Sequence, residues 1–446
     1  MANLKWSSPF LAREARALLA RLEQLGPFSL RVPAVPAASI SPAAIRAIEA
    51  HLAQERCALQ RDIQGFLTWC EGVPGHQASP AEQQRRFALL KLRFNAELDS
   101  LDIFADVLNQ RSEHGTGLWL GGLDAVAADG LSGLSRIATI PPIVTYLDRG
   151  HGAAIRRART RLPGRGRNPV AVIRVPRERM VGSGIGSSLL HEVGHQAAAL
   201  LDLVASLRSL IQQRTDRARG DRPAWELWGR WISEIVADLW ALGTLGISAT
   251  NGLIGVVSLP KPFVFRMRLD DPHPFPWLRV ILSCEMGRQI FQDPQWTHLE
   301  RLWVEFYPPT SQSPARRQLL RLMLDTLSEF VSLLLEHRSA RLHWRSLREV
   351  LPVSARSPAR LRRLFASWAG DTAKLRSVAP TVAMAAIGQA AADNRLSPAA
   401  ESSLLTALLR HWALNRTLTH PAGTTICDCQ ASPRITRHAL SAPDNY

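Results

Sequence analysis

Two histidines and a glutamate form the clearest chemical motif in this chain. The segment His191-Glu192-Val193-Gly194-His195 puts two imidazoles four residues apart, so a helix would present both on one face. Two neutral imidazoles on one face can bind a zinc ion, and the carboxylate of Glu192 can take a proton from water beside it. The segment therefore predicts one zinc ion per chain and metal-assisted hydrolysis, most often of peptide bonds.

A hydrolytic zinc site needs a third protein ligand. A histidine six residues after the second one would supply it in one type of site, but Leu201 stands at that position. Further along the chain, Glu234 and Asp238 are four residues apart among tryptophan, isoleucine and valine. Two carboxylates on an apolar helix face need a cation, because burial of an unpaired charge is costly. Zinc bound by Glu234 meets that need, and Asp238 can fix the tautomer of a liganding imidazole.

Together, these residues resemble the gluzincin branch of the zincin metallopeptidases, the thermolysin-like group. The resemblance implies zinc ligation by His191, His195 and Glu234, general base catalysis by Glu192, and support of a ligand by Asp238. It also implies an extended peptide or protein substrate. The likeness to thermolysin itself is not close, because Ser233 and Ala237 stand where thermolysin has asparagine and serine.

A second element resembles the His-Pro…Arg sequence that follows the zinc glutamate in membrane-associated gluzincins. Here it consists of Asp271-Pro272-His273-Pro274 and Arg279. The resemblance implies that His273 is catalytic and that Arg279 contacts the oxyanion or the substrate. Tyr146 and Tyr307 are further candidates for the oxyanion. A proline-rich turn with a surface histidine is the alternative interpretation of this segment.

The segment 169–176 is the clearest predicted strand. It is apolar and β-branched, and a proline at each end is typical of an edge strand. We expect extended substrate to pair with it by backbone hydrogen bonds along Val170, Val172 and Arg174.

The basic charge of the chain leaves two interpretations open. The net charge is +16, and 50 of the 54 basic residues are arginine. A cluster lies between residues 156 and 167, and it consists of Arg156, Arg157, Arg159, Arg161, Arg165 and Arg167. A solvated basic loop is the favoured interpretation, because no stacking aromatics interleave with these arginines. The other interpretation is a nucleic-acid-associated zinc protease that these arginines recruit to its partner. A further alternative to the peptidase, independent of the charge, is a catalytically inactive zinc protein that serves as an interaction scaffold.

Few signals point to a particular compartment. Five cysteines argue against a disulfide framework, and the apolar stretch 239–258 is interrupted by glycines, so we expect no membrane span. The first residues do not resemble a secretory signal, and the expectation is a cytoplasmic protein whose oligomeric state is open.

The pattern of apolar residues predicts a mainly α fold with a small β-sheet, in which a zincin-like core is flanked by helical regions. The expected units are a helical hairpin region (1–112), a metallopeptidase domain (113–345), a helical region (346–416) and a loose tail (417–446). Ser-Pro pairs predict the starts of two long helices at residues 42 and 80. Glycines predict irregular chain over 115–133, the motif helix is expected to run to about residue 211, and 243–276 is expected to be loop-rich.

Overall fold

The computed structural model describes residues 4–24, 26, 35–148, 153–163, 166–176, 182–268, 271–368 and 371–419. This part of the chain is mainly helical and contains one three-stranded mixed sheet, which confirms the predicted α+β class.

The eighteen α-helices described are α1 (Leu4–Glu23), α2 (Pro42–Glu71), α3 (Val73–Gln77), α4 (Pro80–Asn109), α5 (His114–Ser132), α6 (Gly184–Leu200), α7 (Leu203–Arg217), α8 (Arg222–Leu245), α9 (Ile247–Val257), α10 (Lys261–Val264), α11 (Pro276–Phe291), α12 (Gln295–Phe306), α13 (Pro314–Leu335), α14 (Leu347–Val350), α15 (Pro358–Ser367), α16 (Thr372–Arg376), α17 (Pro380–Ala392) and α18 (Pro398–Thr419). The strands are β1 (Ile143–Asp148), β2 (Ala154–Arg156) and β3 (Ala171–Pro176).

The two long helices α2 and α4 begin where the Ser-Pro pairs predict. The hydroxyl oxygen of Ser41 accepts a hydrogen bond from the Ala44 backbone N–H, and that of Ser79 accepts one from Glu82. Each proline occupies the first helical position, where no backbone donor is needed. Helix α1 packs on this pair to form a separate small core of apolar side chains.

The sheet has the order β1-β3-β2, with β3 parallel to β1 and antiparallel to β2. Successive side chains of each strand point to opposite faces of the sheet, and both faces are buried. One face, which includes Ile143 and Ile173, packs in the main core with α5 and α6. The opposite face, which includes Val144 and Val172, packs on α2 and α4. The sheet therefore separates the N-terminal helical pair from the helices that carry the metal motif.

The prediction that 169–176 forms a strand is confirmed, but the prediction of an edge strand is wrong. β3 is the central strand, since Val172, Ile173 and Arg174 pair with β2 on one side and with β1 on the other. The prolines fall at or beyond the ends of the ladder, where a missing N–H does not interrupt it. Val172 and Arg174 therefore offer no free backbone edge to a substrate, and Val170 lies one residue before the strand.

Two segments expected to be irregular are helical. Helix α5 runs through the glycine-rich stretch because its glycines permit close approach to other chain segments. A Cβ at Gly122 would lie 2.4 Å from the carbonyl oxygen of Leu409 in α18, and one at Gly117 would lie 2.4 Å from that of Arg111. Helix α9 lies within the segment 243–276, which was expected to be loop-rich, and it packs against the motif helix.

The motif helix is shorter than expected. It ends at Leu200, and a new helix, α7, starts after Asp202, whose φ of 52° lies in the left-handed region. Helix α8 follows after a short loop. Together, α6 and α8 lie at the centre of the main core, which extends from Trp119 to Trp412.

No helix in the described part of the chain is long and apolar enough to cross a membrane. The apolar stretch 239–258 is divided between the end of α8 and α9, with Gly246 at a φ of 61° between them. Residues 420–446, most of the tail predicted to be loose, lie outside the described residues. The domain boundaries expected from the sequence stay predictions.

Candidate metal centre

The motif helix α6 and helix α8 meet at a contact that only a residue without a side chain permits. A Cβ at Gly194 would lie 2.8 Å from the Cα of Ala237 and 2.9 Å from its carbonyl oxygen. This close approach brings together His191 and Glu234, which lie one turn before the contact, and His195 and Asp238, which directly follow it. The two imidazoles of α6 consequently face the two carboxylates of α8.

Three imidazoles converge on a single oxygen of Glu234. The Nε2 atoms lie 3.2 Å (His191), 3.3 Å (His195) and 3.0 Å (His273) from Glu234 Oε2. The side chains of His191, His195 and Glu234 are only 13%, 15% and 11% exposed, whereas that of His273 is 39% exposed. The cluster is thus buried on the side of the helices and reaches solvent at His273.

Asp238 fixes the tautomer of His191. Its Oδ1 lies 2.8 Å from His191 Nδ1, and because a carboxylate only accepts hydrogen bonds, this nitrogen must donate. Nε2 is then the nitrogen whose lone pair binds a metal once the proton on it is released. Arg279 holds Asp238 in turn with two hydrogen bonds, from Nε to Oδ2 (2.6 Å) and from Nη2 to Oδ1 (2.8 Å).

Arg279 thus lies behind His191 and is paired with Asp238. Its Nη2 is also 3.4 Å from His191 Nδ1, but both atoms are donors, so this approach is not a hydrogen bond. With its guanidinium bound to Asp238 and its side chain 13% exposed, Arg279 is placed to position the imidazole.

His273 is held by the loop that precedes α11. Asp271 Oδ1 accepts hydrogen bonds from the His273 backbone N–H (3.0 Å) and from its Nδ1 (2.8 Å). The second bond fixes the ring so that Nε2 points to Glu234. A carboxylate two residues before a histidine, with proline between them, is a signal of this turn that sequence reasoning left unused.

Neighbouring carboxylates favour the protonated form of His191 and His273, since they raise the pKa of both imidazoles. Burial alone would lower the pKa of His191, but the charge of Asp238 and the hydrogen bonds to Asp238 and Glu234 raise this pKa to about 9. Burial would raise the pKa of Glu234, but the hydrogen bonds from the three imidazoles hold that pKa far below its usual range. The pKa of Asp238 is likewise well below its usual range, because Arg279 and His191 outweigh its burial.

Glu192 lies in α6 beside His191, but its environment differs from that of Glu234. It is 6% exposed, and burial raises the pKa of its carboxyl group above the usual value, although the nearby imidazoles of His191 and His195 partly oppose this shift. A raised pKa makes a carboxylate a stronger base near neutral pH. The two glutamates of the cluster thus have pKa values shifted in opposite directions, as is common for groups with different roles in a site.

The donor set and its spacing fit a zinc ion. Bonds of about 2.0 Å from a tetrahedral zinc place neighbouring ligand atoms about 3.3 Å apart, close to the 3.2 and 3.3 Å separations from Glu234 Oε2 to His191 and His195. Among the described residues, the group whose ligand atoms all lie within 4.8 Å of one another is His191, Glu234 and His273. His195 is not in that group, although its Nε2 lies 3.3 Å from Glu234 Oε2, so His273 is a second candidate for the third ligand. Asp238 supplies the carboxylate partner typical of a zinc-bound imidazole.

The other residues proposed from the sequence lie elsewhere. Tyr146, Val172 and Arg174 are on the sheet face that packs toward α2 and α4, which is opposite to α6. The Tyr307 hydroxyl donates a hydrogen bond to the carbonyl oxygen of Leu259, 2.9 Å away. Neither tyrosine makes a hydrogen bond or ring contact with the imidazole cluster within the described ranges, so the structure does not place them as oxyanion donors.

The edge strand nearest the cluster is β2. Gln196, which follows His195, accepts a hydrogen bond at 2.9 Å from the backbone N–H of Ala158, two residues after the end of this strand. On its other side β2 pairs with no further strand among the described residues. A free strand edge therefore lies close to the motif helix.

Comparisons of the chain with protein-family models, with curated proteins and with solved structures found no match.

Proposed function

We propose that this protein is a zinc-dependent peptidase. The observation that carries the proposal is the convergence of imidazole nitrogens on one carboxylate oxygen at ligand-like spacing, with Glu192 buried beside them. His191, His195 and Glu234 would hold the zinc ion. His195 is chosen over His273 because it is the more buried and shares a rigid helix with His191.

Bound zinc would supply an electrophile that acidifies water and polarises a carbonyl group. Glu192, buried in α6 beside His191, takes the proton from the attacking water and delivers it to the leaving amine. His273, on the exposed side of the cluster, donates a hydrogen bond from Nε2 to the oxygen that becomes negative during attack on the carbonyl. Asp238 and Arg279 keep His191 in its productive tautomer.

An extended substrate would pair with β2, which takes the role that the sequence suggested for β3. The support for this assignment is the free edge of β2 and its link to α6 through Gln196. Backbone pairing at a strand edge binds a peptide with little dependence on its side chains. It also excludes folded substrates whose backbones are already paired.

The test of this function is metal dependence of cleavage. The purified full chain is treated with a chelator, reloaded with one equivalent of zinc, and incubated with an unfolded protein and an unbiased peptide library. We expect cleavage to stop on chelation and to return with zinc. Stoichiometric zinc without cleavage would contradict the peptidase and favour the inactive scaffold, and absence of zinc binding would contradict both.

A further inference from the structure

A cavity lies on the face of the sheet opposite the candidate metal centre. It has a volume of about 590 Å³ and is bounded by the end of α4, by the outward face of β1–β3–β2 and by the turn after β2. Its polar lining comprises Arg156, Arg157, Arg161, Arg174, Tyr146 and Asp106, among others. Four arginines thus line the cavity together with one carboxylate, that of Asp106, and a second carboxylate, that of Asp148, lies 3.5 Å from Arg174.

These arginines have donors to spare. The guanidinium groups of Arg156, Arg157 and Arg161 make no hydrogen bond to any described residue, and all three side chains belong to exposed residues. Arg174 has a long contact of 3.5 Å to Asp148, while its Nε is buried without a hydrogen-bond partner in the described chain. A concave surface with this excess of positive charge and unused planar donors fits a carboxylate or a phosphate group.

The cavity extends to the free edge of the sheet. Ala154 pairs with Arg174, and Arg156 pairs with Val172, so both β2 residues point to the cavity side. Ile155 between them points toward the main core. Because directly opposed residues of neighbouring strands share a face, a peptide paired with β2 would place every second side chain over the arginines.

We infer that this arginine cavity is a specificity pocket for acidic side chains of a peptide bound along β2. The inference rests on the proposed function, because that function supplies the extended peptide. It joins two features that are adjacent in the structure, the unpaired strand edge and the unpaired arginines. A nucleic acid would use the same charges, but the tyrosine in the lining is part of the sheet face and leaves no row of aromatic rings for stacking bases.

The test compares peptides that differ at one position. Fluorogenic peptides carry Glu, phosphoserine or Gln at each position in turn, and zinc-loaded protein cleaves them. We expect an acidic residue at two alternate positions, but not at the position between them, to raise kcat/KM at least tenfold over Gln. The double substitution Arg156→Gln/Arg161→Gln should abolish this preference, so that the acidic peptides are cleaved no faster than the Gln peptide.

A matched control removes the same number of positive charges outside the cavity. Arg208→Gln/Arg301→Gln alters two exposed arginines on α7 and α12 and should keep the preference. Preference for Glu, for phosphoserine or for both supports the pocket, and their ratio shows which anion it takes. Equal rates for the acidic and Gln peptides in the wild type, or a preference that survives loss of Arg156 and Arg161, would overturn the inference.

Failure of the proposed function gives a different result. If no peptide is cleaved, the peptidase is contradicted, and calorimetric binding of the same peptides to the Glu192→Ala protein tests the pocket alone. Equal binding of the Glu and Gln peptides would then overturn it. A mixed-sequence oligonucleotide is the remaining probe. If it binds more tightly than the Glu peptide, and if the Arg156/Arg161 variant loses this binding, the choice of a peptide as the occupant is overturned.

Discussion

Gly194 of α6 and Ala237 of α8 lie in direct backbone contact, next to His195 and Asp238 and one turn after His191 and Glu234. A Cβ at position 194 would be 2.8 Å from the Ala237 Cα and 2.9 Å from the Trp240 Cβ. Real side chains do not tolerate such distances, so the helices must separate if residue 194 is larger. The spacing of the imidazoles from Glu234 and Asp238 therefore depends on this glycine.

Substitution Gly194→Ala should weaken both folding and zinc binding. Overpacking of a tight contact costs about 1 to 3 kcal/mol in the free energy of unfolding, and displaced ligands would reduce zinc affinity as well. Urea denaturation and zinc competition with a chelator measure the two effects. The control is Gly65→Ala in α2, where a Cβ meets nothing within 4 Å. Gly65→Ala should stabilise the helix by about 0.5 to 1 kcal/mol. An equal loss of unfolding free energy in both variants would refute the packing argument.

Substitution Asp238→Asn should lower zinc affinity about 10- to 100-fold, since the partner that orients His191 loses its charge. It also leaves Arg279 buried without a counter-ion, at a cost of about 3 to 5 kcal/mol in the free energy of unfolding. The double variant Asp238→Asn/Arg279→Met separates the two effects. We expect it to regain stability without regaining zinc affinity, and full recovery of affinity would show that Asp238 acts only through folding.

Replacement of His273 by alanine separates oxyanion stabilisation from metal ligation. If His273 donates a hydrogen bond to the developing oxyanion, zinc content stays at one equivalent and kcat falls about 10²- to 10³-fold with a smaller change in KM. The conservative change Asp271→Asn, which weakens the hold on the ring, should have a smaller effect in the same direction. Loss of zinc in His273→Ala would instead identify this residue as a ligand.

Folding stability should fall on mild acidification because of a histidine outside the site. His337 is buried, its Nε2 lies 2.9 Å from the Ser206 hydroxyl, and burial lowers the pKa of its imidazole below the usual value. Between this lowered pKa and the ordinary value of about 6.5, the unfolded chain binds more protons than the folded chain. His337 therefore reduces stability as the pH falls through about 6.5, and the reduction is complete below the lowered pKa.

The measurement is the free energy of unfolding at about pH 7.5 and about pH 5.5 for the wild type and His337→Gln. We expect the free energy of unfolding to differ less between the two pH values in the variant than in the wild type. An unchanged difference would show that other groups cause the acid sensitivity.

Local patterns predicted the residues of the site better than their surroundings. His191, His195, Glu234 and Asp238 could be proposed because helical spacing fixes which side chains share a face, and charged residues on an apolar face require partners. The contact that aligns the two helices could not be predicted, since Gly194 acquires its role only when α8 lies against it. The same applies to Arg279, whose pairing with Asp238 joins residues 41 positions apart.

Errors in the predicted fold have a common cause. The glycines of α5 and the prolines flanking β3 were interpreted by their local preferences, as signs of an irregular segment and an edge strand. In the structure, the glycines allow close packing of helices and the prolines lie at the ends of a central strand. Tertiary contacts decided both cases, and a single sequence does not contain them. The starts of α2 and α4 were predictable because a capping serine and an N-terminal proline act within one turn.

Zinc content and peptide cleavage, measured together for the wild type and for Glu192→Ala, test the central claim most directly. Glu192 is assigned no role in zinc binding, so the variant should retain one equivalent of zinc and the fold of the wild type while cleavage of a peptide library is abolished. Activity retained by Glu192→Ala, or zinc lost together with the activity, would contradict the assignment of Glu192 as the general base of a zinc peptidase.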